Sequence, residues 1–499
     1  MDACRRRRLD RLLTSVFGHE RLRDGQQAAI EAVLDGRHTL AIMPTGAGKS
    51  LCYQLPALVL PGTTVVVSPL IALMKDQHER LLGLGLGSAQ INSALPADVA
   101  REAHADIGSG STEFVFTTPE QLAGDTLLTR LKRAEVDLFV IDEAHCISTW
   151  GHDFRPAYLE LPKAIRALGT PTVLALTATA PPEVVDDINR QLGLGALHVV
   201  TTGAQRENLF LAVRPVTSDA DKMAALLETL RQLTGSGIVY AATIRHVEDI
   251  AQALRADGID AVPYHGRLAA RVRHEHQDAF MGGAVPIVVA TNAFGMGIDK
   301  ADIRFVIHFD MPASIDAFYQ EAGRAGRDGA PASCTLLFRR SDKSVQAFFM
   351  AGRYPAAEDF ERLVAVLPAP EAPAATTTML RAALAGVSAS KLRVMLTVLA
   401  SHGLAVERRR GGAGWRQKVR LDPARVAALV QAYEARARAD RDRLDQMIAY
   451  AQTARCRWVA LLEGLGEVPP FDRCGHCDTC QGTAIPAVGR AEGVRPPPA

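Results

Sequence analysis

Aromatic residues make up only 5% of this 499-residue chain, and tryptophan occurs three times. Each aromatic outside an apolar run therefore needs a reason to be there. No stretch of about 20 apolar residues is free of charge, which argues against a membrane-spanning helix. The basic N-terminus, MDACRRRRLDRLL, has no long apolar segment after it and does not read as a secretory signal. The expected compartment is the cytoplasm, with most of the eight cysteines reduced. Net charge is also nearly absent, at +1, but it is unevenly spread: residues 339–473 hold 22 Lys and Arg against 14 Asp and Glu. A basic C-terminal third on a mildly acidic body suggests where a polyanion docks, although arginine-rich solvated helices would give the same count.

What is present is apolar sequence, 48% of the chain, enough for real cores. Strand-like runs at 39–43, 64–67, 113–116, 136–141 and 172–176 alternate with amphipathic segments, and the pattern restarts at 237–240, 287–290, 305–308 and 334–338. Continuous apolar strands alternating with helices predict an α/β fold with parallel sheets covered on both faces. Two such domains are expected, at 1–205 and 206–345. A Pro/Ala-rich stretch (367–373), short helices (376–404) and a polar hairpin around Gly411–Gly414 follow. This segment, 346–425, reads as winged-helix-like. A helical module is expected at 426–482, and a disordered Gly/Pro/Ala tail at 483–499.

The sequence Thr45-Gly46-Ala47-Gly48-Lys49-Ser50 follows a strand and precedes a helical pattern, the context of a phosphate-binding loop. Its glycines turn backbone N–H groups toward phosphate oxygens. Lys49 is expected to neutralise the terminal phosphates of ATP, and Ser50 to hold Mg²⁺. The strict pattern has Gly where this chain has Met43. Asp142-Glu143 closes the strand-like run VDLFVI, so Asp142 is a candidate for Mg²⁺ and Glu143 for the base that orients water. Gln320, Arg324 and Arg327 fall in QEAGRAGR, and a helical reading puts both arginines on one face toward the triphosphate. Cys456, Cys474, Cys477 and Cys480 have the spacing of thiolate ligands for one tetrahedral zinc, with His476 a bystander. One disulfide with two free thiols would fit the same spacing.

Nine segments, among them FGHERLRDGQ (17–26), MPTGAGKSLCYQLPAL (43–58), DEAHCISTWGHDFRP (142–156), ALTATA (175–180) and YQEAGRAGRDG (319–329), resemble in order and content the motifs of RecQ-family helicases of superfamily 2. They cover roughly the first 340 residues. The resemblance implies two RecA-like lobes and an ATP-dependent DNA helicase moving 3′ to 5′ in recombination and repair. It implies that Gln26 and Arg23 read adenine, with His19 where relatives usually stack a tyrosine. It makes His145 a catalytic candidate, puts Thr177 and Thr179 between the hydrolytic site and DNA, and places Gly297, Asp299 and Gln320 near the nucleotide and the lobe interface. It makes 146–156 an aromatic-rich loop whose Trp150, His152, Phe154 and Arg155 meet single-stranded DNA. The stretch 450–467 resembles the zinc module of the same family. One departure is order: the winged-helix-like segment precedes the zinc cysteines instead of following them. Little chain remains after Cys480, so no later winged helix or terminal helical domain is expected. Arg409 and Trp415 make the hairpin a candidate duplex-binding wing. The partners expected are single-stranded DNA and ss/ds junctions, without membrane, and a single chain is the expected working unit. An RNA helicase, or a nucleic-acid scaffold with a silent ATPase, would share several of these motifs.

Overall fold

The computed structural model describes residues 3–110, 112–122, 124–148, 155–295, 300–353, 357–408 and 414–483. They form two compact units, Met1–Arg339 with Ala449–Ala499, and Arg340–Ile448.

The first unit holds two parallel sheets. The first comprises β1 (Thr39–Ile42), β2 (Thr63–Val67), β3 (Ser88–Ile91), β4 (Phe114–Thr117), β5 (Val136–Ile141), β6 (Thr172–Thr177) and β7 (His198–Thr201), in the order β3-β4-β2-β5-β6-β1-β7. Its central strands are buried at nearly every position because helices cover both faces. The alternation is visible on β5: Phe139 and Ile141 enter one core, Leu138 and Val140 the other. The second sheet comprises β8 (Leu209–Pro215), β9 (Ser236–Tyr240), β10 (Ala261–Tyr264), β11 (Ile287–Ala290), β12 (Ile303–His308) and β13 (Ala332–Phe338), in the order β10-β11-β9-β12-β13-β8. Every neighbouring pair in it is parallel. The expected α/β class with two RecA-like lobes is what the structure has. Among the described residues, no helix is long and apolar enough to cross a membrane.

The second unit contains four helices (Asp342–Arg353, Ala357–Val366, Thr377–Ala383, Ala389–Ser401), the antiparallel hairpin β14 (Ala405–Arg408) and β15 (Gly414–Gln417), and most of the helix Pro423–Gln452. Thr376 and Ser388 cap two of the helices by accepting from Met379 N and Lys391 N. Phe360, Leu392, Leu396, Leu399 and Leu429 fill the core. Trp415 is only partly exposed: its ring packs on this core, and its backbone pairs with Ala375. The Pro/Ala stretch is fastened to β15 through Gln417 N to Pro368 O, 2.8 Å.

In the first unit, residues after Thr453 cover the free edge of β8. Trp458 Nε1 donates to Leu209 O (3.2 Å), Leu211 bridges to Cys477, and Val213 N donates to Asp478 Oδ2 (2.8 Å). Three alternate residues thus have their outward groups satisfied, which removes an edge open to other strands. Asp478 also receives Arg457 Nε at 2.8 Å, and both side chains are buried. Arg457 Nη1 reaches back to Tyr450 O (2.9 Å) and Thr453 O (3.1 Å), so one ion pair ties a helix end, the cysteine cluster and the sheet together. Removing one partner of such a buried pair costs about 3–5 kcal/mol. Asp478→Ala is therefore expected to lower the denaturant midpoint of the full chain clearly, whereas Glu463→Ala, which breaks the exposed Arg455 pair, should change it little.

Candidate functional site

Strands β5, β6 and β1 are neighbours, and their C-terminal ends carry Asp142-Glu143, Thr177–Thr179 and the loop Met43–Ser50. Ligands of open parallel sheets bind at this end. Gly46 and Gly48 have φ of 86° and 78°, a region that disfavours side chains. Met43 needs no glycine freedom, because it simply prolongs β1: its N–H donates to Thr177 O at 3.0 Å and its side chain is buried.

The carbonyls of this loop are engaged by side chains of the loop itself and of segments outside it. Lys49 Nζ donates to Met43 O (3.1 Å), Arg206 Nη1 to Thr45 O (3.4 Å) and Arg23 Nη1 to Gly46 O (2.5 Å). Gln26 Nε2 donates to Ala47 O (2.9 Å) and Gly48 O (3.0 Å), and its Oε1 accepts from Arg23 N (2.7 Å). Peptide planarity means that drawing carbonyls outward turns N–H groups the other way, which is what an anion cradle requires. Gln26 and Arg23 therefore sit against the loop itself. His19 is exposed, and its bonds run to Leu13 and Thr14.

Asp142 accepts from Ser68 Oγ (3.1 Å), and its backbone is fixed by Val67 O and by the Tyr158 hydroxyl. Burial and the adjacent Glu143 push its carboxyl up to about 7, partly offset by Lys49. Burial in turn lowers the pKa of Lys49. Glu143 stands at φ 50°, and its Oε2 is buried with no hydrogen bond, 3.4 Å from His145 Nδ1. A half-buried carboxylate pair with one buried, unsatisfied oxygen fits a divalent cation of the Mg²⁺ type. His145 Nδ1 lies 3.1 Å from Thr177 Oγ1, which donates to Thr179 O (2.9 Å), so the three residues connect the acidic pair to the end of β6.

Trp150, His152, Phe154, Gly297, Asp299 and Arg409 lie outside the described residues. Arg155 is described: its N–H closes on Cys146 O (3.0 Å) and its Nη1 reaches Pro69 O (3.3 Å). The base of the aromatic-rich segment is thus pinned beside Ser68 and the acidic pair.

The helical placement of Arg324 and Arg327 needs correction. The helix Ile315–Ala322 ends before them, at Gly323, and the arginines lie in the following turns. They consequently point to different places. Arg327 packs on Gly46, where a Cβ would stand 3.1 Å from its Cγ. Arg324 lies against Gly295, beside Tyr240. Gln320 is half-buried at the end of the helix. Sequence reasoning missed Arg206 and Asn208, which fall in the interlobe linker without a motif of their own, and Ser68, which was given no role.

The sulfurs of Cys456, Cys474, Cys477 and Cys480 all lie within 4.8 Å of one another. Cys474–Cys480 is 3.9 Å and Cys477–Cys456 is 4.0 Å; a tetrahedron with Zn–S bonds of ~2.3 Å has edges of ~3.8 Å. None of the described cysteines is in a disulfide. Backbone N–H groups of Cys474, Arg457 and His476 point at the sulfurs of Cys456, Cys477 and Cys474 at 3.3–3.4 Å, bonds that favour thiolates. His476 Nδ1 is engaged with Cys474 O at 2.8 Å, in keeping with four sulfur ligands. The expected result for the purified full chain is one tightly held zinc, released when a mercurial titrates the thiols, and lost in Cys477→Ser together with much of the stability of the lobe it caps. A chain with no zinc and a Cys474–Cys480 disulfide would overturn the assignment.

Three family models match in series: DEAD/DEAH box helicase over residues 23–188, helicase conserved C-terminal domain over 221–329, and RecQ zinc-binding over 420–481. The ATP-dependent DNA helicase RecQ of Bacillus subtilis (strain 168) is 44% identical over 345 residues, 69% of this chain and 58% of that protein. RecQ of Pasteurella multocida (strain Pm70) is 41% identical over 66% of this chain and 52% of its own. The chain thus spans little more than half the length of these curated relatives. A second Bacillus subtilis protein, the probable ATP-dependent DNA helicase RecS, matches end to end more fully: 37% identity over 85% of this chain and 86% of its own. Among solved structures, the Mycobacterium smegmatis helicase Lhr bound to ssDNA and AMP-PNP shares the fold at a TM-score of 0.56 and 23% identity, over 86% of this chain and 61% of its own. With the lobes, the acidic pair, the phosphate loop and the four-cysteine cluster in one chain, and a relative matched over most of both lengths, the protein belongs to the RecQ family of helicases.

Proposed function

We propose that the chain is an ATP- and Mg²⁺-dependent DNA helicase that moves 3′ to 5′ along single-stranded DNA and opens duplexes during recombination and repair. The observation that carries this reading is the contact of Arg327, from the second lobe, with Gly46 of the phosphate loop in the first. Only a nucleotide held at that seam meets groups from both lobes, so its hydrolysis changes what holds the lobes together.

Loop N–H groups and Lys49 bind the phosphates; Ser50 and Asp142 would hold the metal; Glu143 orients and deprotonates the attacking water. Mg²⁺ held there would supply neutralisation of phosphate charge. Arg327 stabilises charge developing in the transition state. His145, Thr177 and Thr179 relay the state of this site toward the segment 146–155. There Trp150 and Phe154 stack on bases, at about 1–3 kcal/mol per base, against about 1.4 kcal/mol for separating one base-pair step. The hairpin of the second unit contacts duplex through Arg409. Trp415 offers a base only its exposed part. Zinc holds the C-terminal module folded on β8.

The test is phosphate release with and without single-stranded DNA. The wild type is expected to be strongly stimulated by DNA. Lys49→Ala should be silent. Trp150→Ala should still bind ATP but lose about tenfold or more of the stimulation, the scale of one lost stacking contact. Wild-type activity indifferent to DNA would defeat the motor reading. Equal stimulation by RNA would point to an RNA helicase.

A further inference from the structure

Arg206 lies in the segment that joins the two lobes, between β7 and β8. Its side chain is half-buried, yet among the described residues no carboxylate lies within ion-pair distance of it. Its partners are neutral oxygens from both sides of the seam. Nη1 donates to Thr45 O of the phosphate loop (3.4 Å) and to Gly323 O (3.1 Å); Nη2 donates to Gly326 O and to Asn208 Oδ1 (3.2 Å). Asn208 Nδ2 in turn donates to Gly326 O and Ala330 O, both at 2.8 Å. Gly326 has φ 60°, and a Cβ there would stand 2.5 Å from Asn208 Nδ2, so a side chain would push this pair away.

The segment Gly323–Ala330 is where Arg324 and Arg327 reside. Two of its carbonyls are therefore held by the same planar cation that holds the phosphate loop. We propose that Arg206 is a positioning residue for hydrolysis, which sets the Arg327 turn against the phosphate loop and is seconded by Asn208. The proposal rests on the reading that ATP is hydrolysed at this seam with Arg327 as its arginine finger. Arg206 does not touch the reacting phosphate; it fixes the distance from which Arg327 does. The planar fork is needed because one group must address carbonyls in different directions, which an ammonium on a flexible stem does poorly.

The experiment is steady-state ATP hydrolysis by the full chain at saturating single-stranded DNA, for wild type, Arg206→Ala, Arg206→Lys, Arg327→Ala and the Arg206→Ala/Arg327→Ala double variant. Melting temperature and binding of a fluorescent ATP analogue are measured alongside. Arg206→Ala is expected to lose kcat on the order of a hundredfold, the scale of a small misplacement of a catalytic group, while KM for ATP moves little. Arg206→Lys should fall between. The double variant should be no slower than Arg327→Ala alone, because a residue acting through Arg327 has nothing left to act on. Losses that multiply in the double variant would overturn the proposal. So would a rise in KM with kcat intact, or a melting temperature lowered enough that cooling restores kcat. A wild type without ATP hydrolysis would defeat the underlying helicase reading instead, and is told apart by the first curve.

Discussion

The outward turn of the phosphate-loop carbonyls is the constraint on which the rest of the seam depends. A loop of this kind binds an anion only if its N–H groups face inward, and its oxygens must then be satisfied elsewhere. Here Arg23, Gln26, Lys49 and Arg206 supply the donors, from the N-terminal segment, the loop itself and the interlobe linker. The consequence is electrostatic. Four cations, counting Arg327, crowd one loop, and the nearby acidic pair is only partly able to compensate, since burial holds the Asp142 carboxyl at about 7. A triphosphate with its metal relieves an imbalance built into the fold.

The zinc module answers a different problem in the second lobe. Strand β8 begins where the linker ends, so its outer edge has no neighbouring strand. Trp458, Cys477 and Asp478 occupy that edge, and two of the three adjoin or are zinc ligands. The same module reaches the linker: Glu467 Oε2 accepts from Ala204 N (2.9 Å), while the Tyr319 hydroxyl donates to Ala204 O (2.7 Å). Gly466 lies against Pro181 and Pro182, just beyond Thr179. The metal-ligand cluster thus stabilises a segment that also borders the hinge and the end of β6. A local spacing of four cysteines has consequences far from the sulfurs.

Much of this was legible in the sequence, and the parts that were not share a cause. Central strands announce themselves because burial on both faces leaves continuous apolar runs, such as TVVV and VDLFVI. Edge strands do not. β3 is SAQI, with only alternate residues buried; β7 is HVVT, largely exposed; β10 carries Pro263, tolerable where an edge needs fewer N–H donors. The cysteines were legible because ligand spacing is local. The helical reading of QEAGRAGR failed because its two glycines, at 323 and 326, end the helix and turn the chain, separating two arginines that spacing alone would stack. Arg206 was invisible because its meaning lies in carbonyls more than a hundred residues away on either side, and carbonyls leave no mark in a sequence.

The choice of carbonyls over carboxylates at Arg206 is consistent with a seam that must open as well as close. A buried guanidinium–carboxylate pair resists separation by several kcal/mol, because each partner would be left as an uncompensated charge. Hydrogen bonds to neutral carbonyls contribute about 1.5–3 kcal/mol each when the donor is charged. Water can replace them when the lobes part, at little cost. A carboxylate in place of Thr45 O or Gly323 O would fasten the lobes whether or not an anion were bound at the loop. Carbonyl partners leave an anion bound at the loop to tip the balance between an open and a closed seam.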